Sequence, residues 1–325
     1  MSHSSSPRVF LSVCLLLLVT SCESSDATAS LSQAVIGLAE ENRFNEPLSV
    51  VCTIGILGDI TAVIAGERAE VSSLMGPGVD PHLYKTSPGD VRKLLGADLI
   101  LHCGFHLEGR MSEVLKRVGS QRDTVAVCEE VPRDRLVILE AEGSLPSIDP
   151  HLWFDVQNWM EVCRIVKRTL SRIDPIGKPG FEKRCSEYLE ELSLLDREVL
   201  SLLATIPRDH RVLITAHDAF GYLGRAYDLE VIGVQGLSTD SEASVATINR
   251  LVSQISRRKI PAVFVETTVS QRNIEALIEG CQARGHPLRL GGKLFSDALG
   301  AGGTPEGTYV GMIRHNARVI TEGLR

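Results

Sequence analysis

Four residues, Asp80-Pro81-His82-Leu83, recur as Asp149-Pro150-His151-Leu152. In each copy the proline fixes its own φ near about −65° and drives the aspartate before it out of the helical region, so the histidine leaves a stiffened turn. Each copy follows a strand-like or loop segment and precedes a helix-like one. A repeated tetrapeptide in a chain of 325 residues carries little weight alone; the matched settings carry more. Two imidazoles aimed from two loops are half of what a divalent transition metal needs, because such an ion takes about four nitrogen, sulfur or oxygen donors in set directions. Two ordinary surface histidines remain the alternative until further ligands are found.

The segments that must position these loops alternate between strand and helix patterns. Residues 50–55 form an apolar run of the kind buried in parallel sheets, and 58–66 read as helix. Residues 69–75 are a second strand that empties directly into the His82 loop, and Ser87-Pro88 opens a helix with proline at an early helical position. A strand over 98–103, a helix over 107–118 and a strand over 124–128 follow, so this part is a βαβα series, the signature of a parallel α/β lobe. Residues 132–148 are less regular and rich in turn formers; the second Asp-Pro-His loop follows them, and a helix over 155–171 closes the lobe. Next, Phe181, Cys185, Tyr188, Leu192, Leu195, Val199, Leu202 and Ile206 step by three or four residues. They make one apolar stripe on a helix of about 26 residues, about 39 Å long. Such a stripe serves either a coiled-coil dimer or a spine between two lobes. Beyond Asp209 the alternation returns, with strands at 211–216, 230–234, 261–266 and 287–290, helices at 244–257, up to 283 and at 306–324, and a polar loop at 238–242.

In open parallel sheets, binding residues lie beyond the carboxyl ends of the strands. By that criterion His82 follows a strand end in the first lobe and His151 lies in a later loop of the same lobe, while His217 and Asp297 follow strand ends in the second. Three imidazoles and a carboxylate complete a donor set for one divalent transition metal. If the lobes face each other, two ligands come from each side of a cleft. The other histidines pass the criterion weakly or fail it. His102 lies within a strand as a core residue, His106 just past that strand could line the cleft, His210 and His286 flank strand starts, and His315 sits in the last helix. Glu266, at a strand end, is the rival carboxylate, better placed to support a ligand than to be one.

At these residues the chain resembles the cluster A-I metal-binding lipoproteins of bacterial ABC transporters, in particular the TroA-like subgroup. The resemblance runs from about Val50 to the C-terminus and includes Leu74-Met75-Gly76-Pro77-Gly78-Val79-Asp80-Pro81-His82-Leu83-Tyr84, Asp149-Pro150-His151-Leu152-Trp153-Phe154-Asp155, Thr215-Ala216-His217-Asp218-Ala219-Phe220-Gly221-Tyr222 and Leu294-Phe295-Ser296-Asp297-Ala298. It implies two α/β lobes, a rigid spanning helix, and one metal ion held by His82, His151, His217 and Asp297. It also implies that Asp80 orients the first histidine from behind. Zinc-dedicated relatives often carry a long His-rich acidic loop between the first two histidines, and none is present here. Manganese-dedicated relatives often have Glu where this chain has His217. The TroA-like subgroup is associated with both zinc and manganese, and a set of three imidazoles and one carboxylate suits zinc by ligand type.

The N-terminus reads as an export signal. Arg8 precedes an apolar core, Val9 to Val19, too short to span a bilayer, and Val19-Thr20-Ser21-Cys22 resembles a bacterial lipobox whose cysteine becomes the lipidated N-terminus. An ordinary signal peptide that happens to carry a cysteine is the alternative. Arg8 is the one formal charge in residues 1–21, so their removal takes the chain from −7 to −8. An acidic chain is a poor nucleic-acid binder and a reasonable partner for cations. The six cysteines beyond Cys22 include no CxxC pair, which leaves zinc-ribbon and thioredoxin readings unsupported; Cys52, Cys103 and Cys128 fall in expected buried strands and read as free thiols.

The expected fold is therefore α/β, with two parallel-sheet α/β lobes joined by one long spanning helix. The boundaries are a signal peptide at 1–21, a tether at 22–46, an N-terminal lobe at 47–175, a spanning helix at 176–208 and a C-terminal lobe at 209–325. The expected function is extracytoplasmic capture of zinc or manganese for import, with an ABC permease and its ATPase as partners. The protein is expected to be an exported, lipid-anchored monomer with no catalytic activity, in the periplasm or at the cell surface. A metallohydrolase needs an open coordination position and a base, and no HExxH is present. A surface adhesin finds no adhesive motif in support. A binder of organic solutes would call for an aromatic-lined cleft, whereas aromatics are 5% of the chain.

Overall fold

The computed structural model describes residues 46–139 and 146–325. The signal stretch, Cys22 and residues 22–45 of the expected tether lie outside the described residues. In the first lobe, strand β1 (Leu48–Ile54) is buried at six of seven positions, as its β-branched run predicts for a strand covered on both faces. It pairs in parallel with β2 (Ala69–Met75) on one side and β3 (Leu99–His102) on the other, with β4 (Asp123–Ala126) beyond, in the order β2-β1-β3-β4. Helices α1 (Gly55–Ala65), α2 (Pro88–Gly96) and α3 (Ser112–Gly119) are the crossovers. The Ser87 hydroxyl accepts from the Asp90 amide and the Asp90 carboxylate accepts from the Ser87 amide, a reciprocal cap that starts α2 at Pro88.

Several boundaries differ from the sequence reading. The helix expected over 107–118 begins only at Ser112. Gly104, Phe105 and His106 all have positive φ (90°, 48° and 62°), and the Glu108 carboxylate accepts from the Cys103 and Gly104 amides, so residues before 112 are spent on a tight reversal. Cys103 lies just past β3 and Cys128 in a 3-10 turn after β4, not in strands; both are nonetheless buried free thiols. The stretch 132–148 contains a small antiparallel ladder, β5 (Ile138–Leu139) with β6 (Ser147–Ile148), that leads into the second Asp-Pro-His copy. Helix α4 (Val156–Ile173) then starts from Asp155, whose carboxylate accepts from the Gln157 and Asn158 amides.

Helix α5 (Lys178–Leu203) is the 26-residue spanning helix. Its buried stripe follows the expected residues up to Val199 and then passes through Leu203 rather than Leu202. In the second lobe β7 (Val212–Thr215) pairs in parallel with β8 (Glu230–Gly233), β9 (Ala262–Glu266) pairs in parallel with β10 (Arg289–Leu294), and β7 lies beside β9. Helices α6 (Gly221–Tyr227), α7 (Val245–Arg258), α8 (Arg272–Gln282) and α9 (Tyr309–Leu324) surround them. Gly291-Gly292, read from sequence as the end of a strand, lies inside β10. A Cβ at Gly292 would come within 2.5 Å of the Val319 side chain of α9, and Gly292 has φ 147°, so glycine there lets the helix lie directly on the strand.

Helix α5 packs against α1 and α4 on one side and α6 and α9 on the other. One hydrophobic cluster therefore runs from Val50 and Leu101 through Leu192 and Leu195 to Leu213, Phe264 and Ile313. A second, smaller cluster fills the opposite face of the C-terminal sheet, with Ile214, Val263 and Leu277. At the turn from α4 into α5, buried Asp174 accepts from Arg68 Nε (2.8 Å) and Nη2 (2.7 Å) and from the Gly177 amide (3.0 Å). Arg68 is about a third exposed, so Asp174→Ala is expected to cost about 2–3 kcal/mol, less than a fully buried pair. Urea unfolding of the metal-free protein would measure it, and a loss under about 0.5 kcal/mol would contradict this account of the turn.

Candidate metal centre

The four expected ligands converge. His82 follows the loop after β2, His151 opens the turn between β6 and α4, His217 lies two residues past β7, and Asp297 three residues past β10. All four are buried, and their ligand atoms lie within 4.8 Å of one another. His82 Nε2 is 3.3 Å from His151 Nε2 and 3.9 Å from Asp297 Oδ2. Asp297 Oδ1 is 3.6 Å from His151 Nε2, and Asp297 Oδ2 is 3.3 Å from His217 Nε2. Four donors arranged tetrahedrally around an ion, at bonds of about 2.0–2.2 Å, sit about 3.3–3.6 Å apart. Neither oxygen of Asp297, nor His217 Nε2, makes a hydrogen bond, although all three are buried. Buried polar atoms without partners are costly for a protein alone, and a cation at their centre satisfies all three.

The imidazoles are held in three different ways. His151 Nδ1–H donates to Asp149 Oδ1 at 2.7 Å, and the same oxygen accepts from the His151 amide at 2.9 Å. His217 Nδ1–H donates to Glu266 Oε2 at 2.5 Å, while Glu266 Oε1 accepts from the His217 amide at 2.9 Å. In both, the carboxylate fixes the tautomer and turns the Nε2 lone pair inward. His82 has no such partner: its Nδ1 is buried without a hydrogen bond. Asp80 instead accepts from the His82 amide through Oδ1 (2.9 Å) and from the Thr239 hydroxyl through Oδ2 (2.6 Å). Asp80 thus shapes the turn and does not touch the ring.

Other contacts lock the carrier loops together. Trp153 Nε1 donates to the Ser296 carbonyl at 2.9 Å, tying the second Asp-Pro-His turn to the Asp297 segment, and the Asn316 side chain clamps both the amide and carbonyl of Phe295. The Tyr222 hydroxyl donates to the Asp149 carbonyl at 3.0 Å. Above the ligands a cavity of about 510 Å3, lined by His82, Phe105, His106, Ile148, Pro150 and Leu237, adjoins the site. His106 is exposed on this wall, outside the cluster of four. His102 is half-buried, and its Nδ1 lacks a hydrogen bond, 3.9 Å from Glu108, so it is not the satisfied core residue expected. His210, His286 and His315 bond backbone carbonyls of Leu324, Ile260 and Lys293. Asp149 went unassigned in the sequence reading although the repeated tetrapeptide was its signal. Thr239 had none, since only folding brings it to Asp80.

Electrostatics prepare the site for a cation. Burial pushes the His82 imidazole down to about 4, outweighing Asp297, so the ring is neutral at pH 7 with its lone pair free. Burial also opposes charge on His217, but Glu266 and Asp297 outweigh it and hold its pKa well above the usual histidine value. Burial would raise Asp297, yet His217 with the other two imidazoles holds it well below the usual carboxylate range, and it stays ionised.

Comparison with known proteins bears on this geometry. A sequence profile of the family described as periplasmic zinc-uptake complex component A (ZnuA) matches residues 50–323. The chain is 43% identical over 281 residues to the manganese-binding lipoprotein MntA of Bacillus subtilis (strain 168), covering 86% of this chain and 91% of that protein. It is 46% identical over 276 residues to the zinc-binding protein TroA of Treponema pallidum (strain Nichols), covering 85% and 88%. The solved structure of the periplasmic zinc-binding protein TroA from Treponema pallidum superposes with a TM-score of 0.82 at 45% identity, over 86% of this chain and 99% of that one.

Proposed function

Since the chain belongs to the periplasmic zinc-uptake complex component A family of cluster A-I metal-binding solute-binding proteins, we propose that His82, His151, His217 and Asp297 capture one divalent transition-metal ion for delivery to an ABC permease. The observation that carries the assignment of these residues is the convergence of four buried donors at coordination spacing, with both Asp297 oxygens and His217 Nε2 lacking any other partner. The relatives compared are named for the metal they bind, manganese in one and zinc in the other, and adhesion is not favoured. Three imidazoles and a carboxylate favour zinc over manganese by ligand type, as does the general affinity order of divalent metals. The ion is cargo. With four protein donors, and a second Asp297 oxygen available, the site leaves no open position for a reactive water, which supports capture over catalysis.

Export and anchoring belong to the same reading. Among the described residues no helix is long and apolar enough to cross a membrane. Lipidation at Cys22, with residues 22–46 as tether, would hold a monomer at the membrane beside its permease and the permease's ATPase. The boundaries 47–175, 176–208 and 209–325 are read as two lobes and their spine. A spine packed against helices of both lobes favours metal exchange by local loop movement over wide hinge bending.

Elemental analysis of the mature chain, purified without chelator or affinity tag, tests the reading: about one equivalent of zinc or manganese is expected. The pH dependence is a second test. In the metal-free protein at pH 7, His82 and Asp297 are already in their ligating forms, whereas Glu266 and Asp297 hold the His217 pKa well above the usual histidine value. A raised pKa means that the proton is bound below it and lost above it, so metal must displace it from Nε2. Below the His217 pKa metal binding should therefore release a proton, and affinity should rise with pH up to it. Below about pH 4 His82 protonates too, and binding should collapse. Calorimetry in buffers of different ionisation enthalpy counts the protons, and a count that does not rise as pH falls would refute the assignment of His217.

A further inference from the structure

The two Asp-Pro-His turns are alike in sequence and unlike in wiring. Asp149 spends one oxygen on both the amide and the ring of His151. Asp80 holds only the amide of His82 and turns its other oxygen to Thr239, 159 residues away in the opposite lobe. The segment carrying Thr239 is rooted beside another ligand. The Gln235 amide donates to the Ala216 carbonyl (2.9 Å) and the Asp218 amide donates to the Gly236 carbonyl (3.3 Å), on either side of His217. From there the chain passes over the cleft, where Leu237 and Ser238 wall the cavity that His82 adjoins. A second tie lies further out: Arg110 donates to Asp240 Oδ1 from Nη2 (2.6 Å) and Nε (3.2 Å).

We propose that residues 236–241 form a strap that closes on the first lobe through Thr239–Asp80, that Thr239 is thereby a positioning residue for His82, and that bound metal leaves by detachment of His82 when the strap lifts. This rests on the capture reading above. His151 and His217 each have a carboxylate on Nδ1 that resists ring rotation; His82 has none. Its ring is held by the cavity wall and by the turn that Asp80 shapes, and both depend on the strap. The outer Arg110–Asp240 pair, 40% and 49% exposed, adds a weaker and salt-sensitive hold. The arrangement couples the two lobes through a short loop, without bending the spine.

The test is metal release. Zinc-loaded full-length protein is mixed with excess chelator and followed by stopped flow, for wild type, Thr239→Val, Thr239→Ser and Arg110→Ala, with loading checked by elemental analysis. Loss of a hydrogen bond to a carboxylate should speed release about tenfold in Thr239→Val, while Thr239→Ser, which keeps the hydroxyl, stays within about twofold. Arg110→Ala should speed release about two- to threefold at low salt, the difference vanishing at high salt. Spectra of protein labelled with 15N-histidine should show exchange broadening at His82 before His151 or His217. In metal-free protein, the His82 amide should exchange with solvent faster in Thr239→Val. Equal release rates from fully loaded wild type and Thr239→Val, or broadening first at His151 or His217, overturn the proposal and leave capture intact. A wild type that takes up no metal overturns capture itself, and this proposal with it.

Discussion

Asp297→Ala, purified beside wild type, is expected to come off the column without metal and to lose about three orders of magnitude or more in zinc affinity, from removal of one donor in four and of the only anionic one. The size of the effect follows from the setting. Asp297 is buried, its oxygens accept no hydrogen bond, and it approaches all three imidazoles within 3.9 Å. A buried carboxylate facing three imidazoles is a strong contributor to a bound cation. The variant should therefore lose most of the rise in melting temperature that zinc confers. Asp297→Asn separates charge from shape: it keeps an oxygen donor at the same position, and should recover only a small part of the affinity. Wild-type affinity in Asp297→Ala, measured by competition with a chromogenic chelator, would remove the carboxylate from the site.

Glu266→Gln is the second large effect, and its two consequences run in opposite directions. Glu266 binds His217 twice, through Nδ1–H and through the main-chain amide, so it sets both the ring and the turn. Loss of its charge makes the imidazole a weaker donor, and affinity is expected to fall about 10–100-fold. The same charge is a main reason that the His217 pKa stands well above the usual histidine value in the metal-free protein. Without it the His217 pKa drops, so fewer protons are displaced per ion at pH 7 and the pH dependence of binding flattens. A merely structural Glu266 would lower affinity without changing the proton count; competition titrations between about pH 6 and 8 distinguish the two cases.

The architecture was legible because its signals are local. The apolar run of β1, the Ser87-Pro88 cap and the three-four stepping along α5 each follow from neighbours in sequence, and each appears where expected within a few residues. The chemistry was partly legible for the same reason: a histidine after Asp-Pro, or at the end of an apolar strand, announces its place on the ligand-facing edge. What failed depends on contacts distant in sequence or on a local turn that competes with a helix. Gly291-Gly292 reads as a break until α9 is seen to require bare backbone beneath Val319. The start of α3 is delayed because Glu108, a sound helix former, is drawn back onto the amides of Cys103 and Gly104. Asp80 and Asp149 are indistinguishable in their tetrapeptides, and only the presence of Thr239 on one side separates their roles.

The shared core along α5 bears on how faithfully the molecule keeps its load. Two of the four candidate ligands come from each side of the spine, and the apolar cluster on which both sides rest is continuous through Leu192 and Leu195. Neither half can loosen far without exposing the seam of the other, so partly folded chains that present two donors, and trap metal weakly and indiscriminately, are disfavoured. A carrier built this way offers four donors or almost none. In a compartment where many proteins compete for scarce ions, that all-or-none character keeps the carrier from acting as a leaky sponge.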